Sequence, residues 1–223
     1  MSARRPHRAA FRSALLVPAV LVSVALVAGL AACGGGDEPA TADTTERGLS
    51  GYRRDPAPSV AEVRLPAAKG DGEVDFVASE GAVMVVYFGY TSCPDVCPTT
   101  MSDLRRARAS LPESERSRIE FAMVTVDPER DLPEKLDAYV TTFLPDGRSA
   151  RTEDEQELRA AADAFGADYS VDTAEDGEIE VSHTAELYAV DDTGRIVLQW
   201  PFGTTPEDLA ADLAALLGTE VVT

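Results

Sequence analysis

One stretch, Val83 to Met101, constrains the whole chain: VMVVYFGYTSCPDVCPTTM. Val83 to Tyr90 is an apolar run of β-branched and aromatic residues with the length of a buried strand. A strand without polar alternation belongs in the middle of a sheet covered on both faces. Gly89 lets the backbone pass close to a neighbour, and Thr91 and Ser92 begin a turn. Cys93 and Cys97 follow, separated by Pro94, Asp95 and Val96. Proline is harmless at the first helical position and costly further in, so the helix is expected to start at Pro98, with Cys97 at its N-cap. Both sulfurs then lie at the carboxyl end of a central strand and beside a helix N-terminus.

The partial positive charge and free N–H groups of a helix N-terminus favour thiolate over thiol. Thiolate is the form that attacks disulfides and the form that ligates soft metals. A structural staple is the bland alternative. A ring closed over three residues removes little entropy from the unfolded chain, so it makes a poor staple.

The other end of the chain bears on where these thiols work. Residues 1–32 carry Arg4, Arg5, Arg8 and Arg12 and no acids, followed by the uncharged run Ala14 to Ala32. A basic segment before an apolar one is an export signal. The run is also long enough to span a bilayer, which leaves a retained helical anchor as the rival. Its ending, Leu30-Ala31-Ala32-Cys33-Gly34, resembles the lipobox of bacterial lipoproteins and makes Cys33 the lipidation site. The expected organisation is a lipoprotein signal at 1–32, a lipidated Cys33 with a Gly-, Asp- and Pro-rich tether over 33–57, and a folded domain over 58–220. The expected location is the outer face of the cytoplasmic membrane. Arg4-Arg5 lacks the context of a twin-arginine signal.

If Cys33 carries lipid and His7 leaves with the signal, two thiols and one histidine remain: Cys93, Cys97 and His183. Without the signal arginines, 16 basic side chains stand against 39 acidic ones, a net charge of −23. That sign opposes nucleic acid as a partner and favours cations and basic protein patches.

Along the domain, Val60 to Leu65 reads as a short strand, Lys69 to Gly72 as a turn and Glu73 to Val77 as its hairpin partner. Pro98 to Leu111 is a helix and Ile119 to Val126 a second buried strand. Pro133 to Phe143 and Glu153 to Phe165 are helices. Glu153, Asp154, Glu155 and Glu157 suit a helix start better than a hard-cation site. Glu178 to Val181, Ala185 to Val190 and Arg195 to Trp200 are strand-like, with a turn at Asp191 to Gly194. Thr205 caps a closing helix that Gly218 stops. This alternation predicts an α/β sandwich. A redox or metal pair at the end of the first βα unit fits a thioredoxin-like arrangement, a central mixed sheet flanked by helices.

His183 lies 86 positions after Cys97, in a loop expected just before a strand. Two thiolates and an imidazole make a soft donor set that suits copper, and with a water the same set holds zinc. Met84, Met101 and Met123 read as core filler, and Tyr90 and Trp200 as packing residues.

Three blocks carry a resemblance: FGYTSCPDVCPTTM from Phe88, TVDPERDLPEKLDAYV from Thr125 and VSHTAELYAVDDTGRIV from Val181. Together they resemble the signature blocks of the Sco/SenC family, over a span from about Pro56 to Leu217. The resemblance implies a membrane-tethered, thioredoxin-like copper chaperone holding one ion, Cu(I) or Cu(II), on Cys93, Cys97 and His183. It implies delivery to the copper-bearing subunit of cytochrome c oxidase at its CuA centre, and a thiol reductant as a second partner. Many members carry an acid directly before the histidine, where this chain has Ser182. The Asp127–Asp131 block matches the family pattern and reads as a strand end and helix start, with no ligand role. A thiol-disulfide reductase using Cys93 and Cys97 without His183 is the alternative, although C-x3-C departs from the usual C-x-x-C. A peroxidase on the same fold has no further support in the residues.

Overall fold

The structure is a computed structural model and describes residues 48–218. The expected signal segment and Cys33 lie outside the described residues. Within them no helix is long and apolar enough to cross a membrane.

The chain begins with a small antiparallel hairpin, β1 (Arg64–Pro66) and β2 (Glu73–Asp75). Next comes the unit that the sequence centres on: β3 (Val83–Gly89), α1 (Val96–Ser110), the single turn α2 (Glu113–Arg116) and β4 (Ile119–Thr125). Then follow α3 (Pro133–Phe143), β5 (Arg148–Ala150) and α4 (Glu155–Phe165). A two-stranded ribbon, β6 (Tyr169–Thr173) with β7 (Ile179–His183), precedes β8 (Leu187–Val190), β9 (Ile196–Trp200) and α5 (Pro206–Leu216).

Five strands form the central sheet in the order β5-β4-β3-β8-β9. β3, β4 and β5 run parallel, and β8 and β9 join antiparallel, which makes the sheet mixed. β3 is the middle strand, and every one of its residues is buried. Seven consecutive buried residues require cover on both faces, and this is why the run Val83 to Gly89 shows no polar alternation. The expected thioredoxin-like sandwich is the observed architecture.

Four local features depart from the expectation. α1 starts at Val96 with Asp95 as N-cap, so Cys97 lies inside the first turn and Pro98 is the third helical residue. The first four N–H groups of a helix have no intrahelical partner, so proline is tolerated at the third position for the same reason as at the first. The first strand begins at Arg64 rather than Val60, because Val60 bonds instead to the Gly194 carbonyl in the β8–β9 turn. Strands β5 and β6 were not anticipated. β5 is three residues long, and all of β6 after Tyr169 is exposed, so neither has an apolar pattern.

The fourth concerns residues 48–57, which composition assigned to the tether. They lie along β9 and α5. The Asp212 carboxylate, 3% exposed, accepts from the N–H groups of Ser50 and Gly51 and from Trp200 Nε1 at 2.8 Å. Tyr52 exchanges both backbone hydrogen bonds with Gln199 at 2.9 Å. A carboxylate this deeply buried needs several donors, and backbone N–H groups supply two of them. The acids at the start of α4 behave as a helix cap. Asp154 accepts from the N–H groups of Gln156 and Glu157, Glu153 pairs with Arg151, and Glu155 accepts from the Tyr169 hydroxyl.

Candidate metal centre

Cys93 lies in the loop that leaves β3, and Cys97 in the first turn of α1. The N–H of Cys97 is one of the free donors of the helix start, and it points at Cys93 Sγ, 3.3 Å away. The two thiols are therefore unlike. Cys93 is half-buried and Cys97 fully buried. Burial alone would push the Cys93 thiol up. The N–H groups of Cys97 and Asp95 and the Cys97 and Tyr90 side chains outweigh it, and the thiol sits below its ordinary value. Burial dominates at Cys97 and pushes it up to about 12.

His183 comes from the base of the ribbon. It is the last residue of β7, not a loop residue before a strand, and it sits opposite Tyr169. Its Nδ1 lies 3.1 Å from the Thr184 carbonyl. A carbonyl only accepts, so Nδ1 carries the proton and Nε2 keeps its lone pair. Nε2 stands 3.5 Å from Cys97 Sγ. Burial lowers the imidazole's pKa, which favours the neutral, ligating form. Tyr87 and Tyr90 pack edge-on against the ring at 5.9 and 5.7 Å between centroids and limit its rotation.

The ligand atoms of Cys93, Cys97 and His183 all lie within 4.8 Å of one another. The structure thus brings together all three residues expected at the site. One half-buried and one fully buried thiol with an imidazole nitrogen form a donor set that fits a soft, thiophilic ion. Ser182 is exposed, on the opposite face of β7 from His183, because strand side chains alternate. It contributes nothing to the cluster. Met84, Met101 and Met123 are buried in the core.

Two supporting residues carried no motif of their own. Gly89 runs so close to the site that a Cβ there would meet the Tyr87 ring at 2.6 Å and Cys97 Sγ at 3.2 Å. Asp131, fully buried, ties the cysteine loop to the β4–α3 segment. It accepts from the Thr91 N–H at 2.9 Å, from the Thr91 hydroxyl, and from Thr125 Oγ1 at 2.7 Å. Arg151 Nε donates to the Asp131 carbonyl at 2.9 Å and to that of Pro128 at 3.2 Å, holding this segment from the other side. Only the length of the TVDPERD block signalled that it does more than end a strand.

Residues 64–218 match the sequence model of the family described as SCO1/SenC. The chain belongs to the SCO1/SenC family. Among solved structures it is similar to the apo Sco1 protein of Thermus thermophilus, at 34% identity and a TM-score of 0.66, covering 75% of this chain and 96% of that one. It is also similar to the copper-bound ScoI of Bradyrhizobium japonicum, at 28% identity and a TM-score of 0.60, covering 69% of this chain and 96% of that one. An SCO2-like protein of Rickettsia prowazekii is 32% identical over 117 residues, 52% of this chain. This SCO1/SenC chain spans just over half the length of the first curated relatives it matches.

Proposed function

We propose that this chain is an extracytoplasmic copper metallochaperone. One ion, as Cu(I) or Cu(II), is held by Cys93 Sγ, Cys97 Sγ and His183 Nε2 and passed by ligand exchange to the CuA-bearing subunit of cytochrome c oxidase. The observation that carries this reading is the convergence of two sulfurs and an imidazole nitrogen within 4.8 Å. A copper-bound structural relative supports it. The export signal at 1–32 and lipidation at Cys33 would place the domain on the outer face of the cytoplasmic membrane. Both thiols must be reduced to serve as ligands. In an oxidising compartment that requires a dithiol reductant, which gives two electrons and two protons to the disulfide.

Titration of the purified domain with Cu(II) should produce visible thiolate-to-copper absorption at one ion per chain. His183→Ala should weaken uptake. Absence of that absorption, with affinity unchanged in His183→Ala, overturns the reading.

The difference between the thiols favours a second activity on the same site. Cys93 is the accessible, more acidic sulfur and Cys97 the buried one. This is the arrangement of an attacking thiol with a resolving partner. A thiol-disulfide reductase of this kind keeps its activity in His183→Ala and loses it in Cys93→Ser.

A further inference from the structure

The ribbon that delivers His183 has two unlike faces. Val171 stands opposite Val181, Thr173 opposite Ile179, and Tyr169 opposite His183. Directly opposed residues share a face, so this side is largely apolar and ends at the imidazole. Val171 is 44% exposed on it. Asp172 and Glu180 oppose each other on the other face, and the turn between the strands adds Glu175, Asp176 and Glu178. All five acids are exposed, and among the described residues none forms an ion pair.

The ribbon also has open edges. Its end bonds, Thr184 N–H to the Asp168 carbonyl and Ala174 N–H to the Glu178 carbonyl, set the alternation of the ladder. By that alternation Ile179 and Val181 turn their N–H and C=O groups away from β6. No other described strand pairs with them. A cleft of about 320 Å³ lies beside this edge, between Val181 to His183 and the turn Cys93 to Val96.

We infer that the outer edge of β7 docks an extended segment of the partner protein as an added strand, a segment alternating apolar and basic residues. Strand addition satisfies the free edge groups, and the period of two sends alternate side chains to the two faces. Apolar side chains then continue the Val181 face toward the metal centre, and basic ones meet Asp172 and Glu180. This chain's residues 34–47 have the wrong sign, with four acids and one arginine, and a second copy of a chain at −19 repels itself. The partner's role as copper donor or acceptor rests on the function proposed above. The docking surface does not.

The test uses the full chain, 15N-labelled, with a synthetic peptide of alternating valine and lysine and a valine–glutamate counterpart. The lysine peptide should slow amide exchange at Ile179 and Val181, and the glutamate peptide should not. Val181→Pro removes an outward N–H without breaking a ladder bond, and should weaken lysine-peptide binding about tenfold. Val171→Pro, on the β6 edge, should leave it unchanged. Asp172→Lys with Glu180→Lys keeps the ladder and should invert the peptide preference. Protection that follows Val171 instead, or an unchanged preference in the double lysine variant, overturns the inference. So does protection without peptide that disappears on deleting residues 34–47 or on dilution. Copper uptake is recorded on the same samples: peptide docking without uptake defeats only the chaperone reading, and uptake without docking defeats only this one.

Discussion

Asp131 holds Thr91 by two hydrogen bonds, one from its N–H and one from its hydroxyl, across 40 positions of sequence. Thr91 begins the loop that carries Cys93, so a fully buried carboxylate on one segment fixes the entry to the metal site on another. Asp131→Asn places an amide donor among donors. The expected cost is about 1–3 kcal/mol in urea unfolding, with faster amide exchange at Thr91. Wild-type exchange at Thr91 in the variant would show that the clamp does not hold the loop.

Gly89 is where β3 and the site come closest. Gly89→Ala would set a methyl group against the Tyr87 ring, Cys97 Sγ and Met123 Cε, all within 3.2 Å. Overpacking of this kind costs about 1–3 kcal/mol. The variant should also take up copper more weakly, because relief of the clash displaces Cys97. Chemical denaturation and copper titration measure the two effects separately.

The two thiols should separate under alkylation. Iodoacetamide reacts with thiolate, so Cys93, held below its ordinary value, should be modified at lower pH than a model cysteine. Cys97, pushed up to about 12 and buried, should stay unmodified at neutral pH in the folded, reduced protein. Mass spectrometry after timed quenching gives both rates. Equal rates at the two positions would contradict this geometry.

His183 should make the metal-free fold sensitive to mild acid. Its folded pKa lies below the ordinary imidazole value of 6.5, with burial as the main cause. As pH falls below that value, the unfolded chain takes up a proton before the folded one. Stability therefore falls with pH through this window and levels off below the folded pKa. Urea midpoints between pH 7 and 5 should show the slope, and His183→Gln should reduce it.

Much of this was legible in the chain because the deciding signals are local. The uninterrupted apolar run Val83 to Gly89 requires a central strand, since only burial on both faces tolerates it. The cysteine spacing and the turn residues around it then put two sulfurs at the end of that strand, whichever helical position Pro98 takes. The expectation that 48–57 belongs to a tether failed because composition is blind to Asp212, whose buried carboxylate gathers backbone donors from 161 positions away. β6 went unseen because an exposed ribbon needs no apolar pattern to pair.

The chain alone specifies which atoms are available: two soft sulfurs at a strand-to-helix turn, and one imidazole. That the turn lowers the pKa of the Cys93 thiol alone, while burial raises that of Cys97, follows from the fold. Only the tertiary structure decided that Nε2 faces the sulfurs and Nδ1 does not. That choice comes from the register Tyr169 to His183 and the Thr184 carbonyl. Neither is local to the cysteines, because hydrogen-bond geometry between distant segments exists only once the ribbon has paired and the sheet has closed.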